Sequence, residues 1–144
     1  VGIRFMPVER FIDTNILLYG YDLSAGRKRE IALKLVEEGW TRPGCLAISV
    51  QVLQEFYVNF LKSGQSHETA CQVIEDLSQW PVVDNSLELF GQGLEICRHY
   101  QTSLWDGMIL SAATSSRAKT LLSEDLNHGQ IYRGIEVINP FISV

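Results

Sequence analysis

Val8-Glu9-Arg10-Phe11-Ile12-Asp13-Thr14-Asn15 decides how this chain is read. Residues 9–13 have the make-up of a short buried strand, and it runs out at a carboxylate followed at once by a hydroxyl and an amide. The next stretch, 15–21, continues as an apolar helical turn that stops near Gly20. Ordinary acids lie on polar faces, whereas Asp13 ends a core element. An acid placed there either caps a helix or holds a hard cation, and the sequence leaves both readings open.

Outward from that stretch, strands and helices alternate. Residues 27–38 carry Ile31, Ala32, Leu35 and Val36 at helical spacing, closed by Gly39 and Pro43-Gly44. A second strand is expected over 45–49, a strongly amphipathic helix over 51–61, and another from its cap at Ser66 to Gln79. A strand over 81–84, a helix through Tyr100 weakened by Gly91 and Gly93, an unusually apolar helix over 103–118, and strands over 120–123 and 135–138 complete the series. Such alternation implies an α/β domain whose mainly parallel sheet is covered on both faces. Ligands in such sheets gather at the carboxyl ends of strands, where Asp13 and Asp125 both fall. No internal repeat, low-complexity segment or linker interrupts the pattern. We expect one domain over 8–144, with 1–7 an N-terminal extension in which Met6 is a candidate native start.

Composition limits what the chain does. A formal charge of −5 argues against gripping nucleic acid by bulk electrostatics. Bound divalent cations can invert the local charge, so phosphodiesters stay within reach. No stretch suits a bilayer crossing and no secretory leader is evident, which points to the cytoplasm. Cys45, Cys71 and Cys97 form no zinc pattern and are expected as small buried hydrophobes. His67, His99 and His128 are scattered, and Arg27-Lys28-Arg29 with Lys34 is expected as the solvated face of a helix.

Four acids stand apart: Asp13, Glu55, Asp106 and Asp125. Each has a structural explanation. Asp13 serves as an N-cap; Ser103-Leu104-Trp105-Asp106 has the form of a capping box; Asp125 opens an Asx-type turn. Glu55 is harder to account for. It borders the apolar stripe of its helix with Asn59 beside it, and no basic residue stands three or four positions away. Taken together, carboxylates converging from separate elements suffice for Mg²⁺ or Mn²⁺, which take oxygen ligands and keep several waters. A pair of such ions activates a water and steadies the leaving oxygen in phosphoryl displacement. Crowding of like charges is expected to raise some of the carboxyl pKa values when no cation is bound. No nucleophile elbow, P-loop or dinucleotide fingerprint is present.

Phe11-Ile12-Asp13-Thr14-Asn15, Gln54-Glu55-Phe56, Trp105-Asp106 with Ile109 and Ala112-Ala113, and Ser123-Glu124-Asp125-Leu126-Asn127 stand in the order seen in PIN domains. The chain resembles that family from about Val8 to its end. It looks closest to the VapC-type toxins of bacterial toxin–antitoxin pairs, through Leu122 to Gln130 and Asn139-Pro140-Phe141. The resemblance implies a three-layer α/β/α sandwich and a metal-dependent endoribonuclease leaving 5′-phosphate and 3′-hydroxyl ends. Asp13, Glu55, Asp106 and Asp125 would be the catalytic, metal-holding acids, Glu55 through a water, with Thr14, Asn15 and Ser123 supporting them. The family's Ser-x-Asp pattern favours Asp125, while spacing leaves its neighbour Glu124 open as the fourth acid. The implied cofactor is Mg²⁺ or Mn²⁺, and the implied partners are RNA, a cognate antitoxin and a second copy of the chain. Trp40, Tyr57 and Trp80 could serve such a dimer, although core positions are the stronger expectation for them.

Other readings are weaker. A dehalogenase-type phosphatase needs a second Asp where Asn15 stands, and a receiver domain needs a lysine after the late strand, whereas Lys119 precedes it. A non-catalytic PIN-like module binding RNA or protein, and an RNA-processing PIN nuclease without an antitoxin, remain as alternatives.

Overall fold

Phe11 and Ile12 are fully buried, and the strand they form, β1 (Arg10–Ile12), occupies the middle of a six-stranded sheet. The computed structural model describes residues 7–142; the expected extension, Pro7 apart, and Met6 lie outside the described residues. On one side β1 pairs in parallel with β2 (Leu46–Ser49), which pairs with β3 (Val82–Val83). On the other it pairs in parallel with β4 (Thr120–Leu122), Phe11 facing Leu121. β4 pairs with β6 (Ile135–Ile138), and β5 (Ile131–Tyr132) lies antiparallel on the outer edge. From β1 the chain steps outward through β2 and β3, then returns to the opposite flank. That reversal opens a crevice at the carboxyl ends of β1 and β4, the place where ligands bind in open α/β sheets.

Helices cover the sheet in two groups, giving the expected three-layer α/β/α architecture. α1 (Thr14–Gly20) packs on α2 (Arg27–Thr41) and on α3 (Val50–Lys62), and α3 on α4 (His67–Leu77). α5 (Leu87–Tyr100) packs on α6 (Leu104–Ser115), which also touches β2, β4 and β6. Four of the helices begin alike. Ser49, Ser66, Ser86 and Ser103 each accept a hydrogen bond from the amide three residues on, satisfying a free N–H of the first turn.

α6 is buried along Gly107 to Ala113, as its apolar composition demands. It crosses α5 where both are glycine. A Cβ on Gly107 would meet Cys97 Sγ at 2.4 Å and the Gly93 carbonyl at 2.8 Å, so only a bare backbone fits. Gly93, a weak helix former in isolation, is thus what lets α6 approach.

Several expectations need correction. α6 ends at Ser115 instead of 118, because Arg117 turns into the left-handed region at φ 66°. The edge strand β5 was not anticipated. It is joined to β6 by Arg133-Gly134, both at positive φ, a two-residue hairpin turn without the usual Asn-Gly signature. Only Cys45 is buried; Cys71 is exposed and Cys97 half-buried. Trp80 is a core residue packed against Gly39 and Trp40, whereas Trp40 itself is 42% exposed. Among the described residues, no helix is long and apolar enough to cross a membrane.

Candidate metal centre

Asp13 is the hinge of the crevice. It follows β1 directly, its amide donates to the Leu122 carbonyl at 3.0 Å, and it N-caps α1, Oδ1 accepting from the Thr14 amide at 2.7 Å. Its other oxygen accepts from the Ser123 hydroxyl at 2.8 Å. Ser123, itself fully buried just past β4, also accepts from the Asp125 amide at 3.1 Å, so one hydroxyl ties the loop after β4 to the residue after β1. Asp13 is only 6% exposed, and both groups that donate to its carboxylate, the Thr14 amide and the Ser123 hydroxyl, are neutral. Burial pushes its carboxyl from 3.8 up to about 6, against the lowering effect of the Ser123 and Thr14 bonds, with the charges of Asp125 and Glu55 adding to the rise.

Glu55 reaches the same place from α3. Its Oε1 accepts from the Thr14 hydroxyl at 2.8 Å, which supplies the partner its own helix lacks. Asn59 donates to the Glu55 carbonyl at 2.9 Å. Asp106 comes from the first turn of α6. The capping bond there runs from the Asp106 amide to Ser103 Oγ at 3.1 Å, leaving the carboxylate to face the crevice. Asp125 accepts from Asn15 Nδ2 at 3.3 Å, and its carboxyl is raised by burial, then by the charges of Asp106 and Glu124. The expected crowding of acids is therefore present, but burial is the first cause of both shifts.

These four carboxylates line one cavity of about 80 Å³, with Thr14, Asn15 and Gln51 around them and Ile109 as an apolar wall. Asp13 both caps α1 and lines this cavity, so capping does not exclude a cation-holding role. Glu124 points elsewhere. Its carboxylate accepts from the Tyr19 hydroxyl and pairs with Lys28 Nζ at 3.0 Å, while that ammonium also sits over the Tyr19 and Phe141 rings. Lys28 was expected on a solvated face and instead secures the neighbour of Asp125. Nothing local marks this, since the partners are 96 residues apart in sequence.

The donor set suits a hard cation: every charged group on the cavity wall is an oxygen acid, and no basic residue lines it. Among the described residues, no three His, Cys, Asp or Glu side chains are drawn into a ready ligand cage. The acids ring an open mouth, an arrangement compatible with an ion that retains several waters.

The family model described as PIN domain matches residues 10–134. No curated protein matches in sequence. Among solved structures, the chain is similar to one from a toxin–antitoxin complex of Klebsiella pneumoniae, at 25% identity and a TM-score of 0.68, over 92% of this chain and 98% of that one. It shares its fold with Mycobacterium tuberculosis VapC20, a sarcin-ricin loop cleaving toxin (19% identity, TM-score 0.62, 81% and 92% covered). A DNA-bound VapBC of Salmonella typhimurium has the same fold (19% identity, TM-score 0.61, 90% and 96% covered).

Proposed function

This chain belongs to the PIN domain family, and from that premise we propose that it is a divalent-metal-dependent endoribonuclease, the toxin of a toxin–antitoxin pair. The observation that carries the reading is four carboxylates, delivered by β1, α3, α6 and the loop after β4, on one cavity without a basic residue. Asp13, Asp106 and Asp125 would hold Mg²⁺ or Mn²⁺, and Glu55 would act through a bound water. The ion, when bound, would supply a water whose lowered pKa lets it give up a proton and attack a phosphodiester as hydroxide, and a counter-charge for the leaving oxygen.

The chain's own residues prepare that chemistry. Thr14 fixes Glu55 and Ser123 fixes Asp13, so two of the acids are oriented before any ion arrives. Asn15 steadies Asp125. Ile109 gives the mouth one dry wall, which would strengthen the pull of a bound cation on a phosphate held there. No Ser, Cys or His is needed as a nucleophile.

The toxin assignment, a protein antitoxin that covers the mouth, a homodimer and a cytoplasmic setting are part of the same proposal. The likeness to chains from toxin–antitoxin complexes supports the toxin assignment and the antitoxin partner.

The test is cleavage of total cellular RNA by partner-free protein, mapped at both new ends. Mn²⁺ should give discrete cuts with 5′-phosphates, and chelation or Asp106→Asn should abolish them while the fold persists. Cutting that survives chelation contradicts the proposal. A folded protein that cuts nothing under any metal would favour the non-catalytic module.

A further inference from the structure

Beside the acidic mouth lies a second recess of about 210 Å³ whose walls are Gln51, Gln54, Glu55 and Trp105. Trp105 is 63% exposed, an unusual position for a large aromatic, and the next residue is Asp106. Adjacent Cα atoms are about 3.8 Å apart, so the indole stands at the rim of the proposed reaction centre. Its backbone is anchored: the Gln51 side-chain amide, largely buried, donates to the Trp105 carbonyl at 3.3 Å. Gln51, Glu55 and Trp105 itself belong to both recesses, which makes them one continuous depression.

We infer that this recess is a nucleobase subsite, in which one unpaired base of the RNA stacks on Trp105 beside the phosphodiester held by the acids. The inference rests on the ribonuclease reading and names what that reading leaves open, namely how an acidic protein holds RNA.

The lining selects this occupant. With 17 acids against 12 lysines and arginines, the chain gains little from phosphate attraction. No cation lines the recess, so an anionic group has no counter-charge there. One wall is the Trp105 indole, and Gln54 offers an amide donor and acceptor at the edge, the Gln51 amide being engaged with the Trp105 carbonyl. A planar, uncharged group with a polar rim satisfies both surfaces, and every base has a face that stacks on an aromatic ring. A base inside a duplex has both faces covered, so the subsite requires single-stranded RNA at the cut.

The experiment compares wild type, Trp105→Ala and Trp105→Tyr as full chains freed of partners. Mn²⁺ affinity is read by calorimetry. Binding of a fluorescent random-sequence single-stranded 12-mer RNA pool is read by anisotropy with Ca²⁺ occupying the carboxylates, the probe checked by gel to be intact. Trp105→Ala should weaken RNA binding by about 5- to 150-fold, the range for loss of one base–aromatic stack. Trp105→Tyr should recover most of it, and all three proteins should bind Mn²⁺ alike. Unchanged RNA binding in the Ala variant overturns the subsite, as does a loss that Tyr does not recover. Wild type that binds Mn²⁺ but not the pool overturns the subsite and leaves the metal centre standing. Wild type that does not bind Mn²⁺ removes the ribonuclease reading, and this one with it.

Discussion

Asp13→Asn should stabilise the metal-free protein at neutral pH, and by an amount that depends on pH in a defined way. The Asp13 carboxyl is nearly enclosed, and burial lifts it from 3.8 to about 6. In the unfolded chain it ionises from 3.8 upward, but in the native state only near 6. Between those values the unfolded chain has released its proton and the folded one has not, so native stability falls as pH rises. The gap of roughly 2 pH units, at about 1.4 kcal/mol each, amounts to about 3 kcal/mol once pH exceeds 7. Asparagine removes the charge and keeps an oxygen for the Thr14 amide. Urea titrations in chelator at pH 4, 5, 6 and 7.5 should therefore show the variant ahead by up to about 3 kcal/mol at pH 7.5, the two curves converging by pH 4. Mn²⁺ at a thousand times its Kd should reverse the order, because only the wild type gains the resulting stabilisation of about 4.1 kcal/mol. If Asp13 were only a cap, asparagine, an equally good cap, would leave stability nearly unchanged at every pH, and Mn²⁺ would be without effect. That outcome would refute the reasoning.

Three other perturbations follow from particular contacts. Ser123→Ala removes a hydroxyl bonded both to Asp13 and to the Asp125 amide; it should lower stability by about 1–3 kcal/mol in urea melts and raise the midpoint of Asp13 titration followed by NMR. Thr14→Val releases Glu55 and should cost about 10- to 100-fold in Mn²⁺ affinity or RNA cleavage, with circular dichroism unchanged. Gly107→Ala forces a methyl against Cys97 and the Gly93 carbonyl and should destabilise by about 1–3 kcal/mol. It should also reduce metal binding, because Asp106 moves with the backbone; a variant as stable as wild type would contradict the close crossing of α5 and α6.

The strand-and-helix series was legible because most of its elements carry strong local signals. Phe11-Ile12 ending at Asp13 marks the central strand, and Ser66 or Ser103 before an apolar run marks a helix start. β5 was not legible: it has two residues, one of them 61% exposed, and is held by its pairing with β6, not by any pattern of its own. The acids could be named from sequence because Asp13 and Glu55 occupy positions where a surface carboxylate does not belong. Thr14, Asn15 and Ser123 were named as supports through the family resemblance, but which acid each one holds was not legible. Thr14 with Glu55, Ser123 with Asp13 and Lys28 with Glu124 are contacts between elements 41, 110 and 96 residues apart. Glu124 and Asp125 are equal candidates by spacing, and only the folded loop sends one to Tyr19 and Lys28 and the other to the cavity. Trp105 read as part of a motif; that its ring stands in solvent beside two glutamines needed the folded contact between the start of α6 and α3, where Gln51 meets the Trp105 carbonyl.

The central claim is that these carboxylates bind a divalent cation. Calorimetric titration of Mn²⁺ into partner-free wild type and into Asp106→Asn tests it without knowledge of the RNA. The account predicts saturable binding in the wild type that collapses in the variant, both proteins being folded. Equal binding in the two, or no saturable binding in folded wild type, would contradict it.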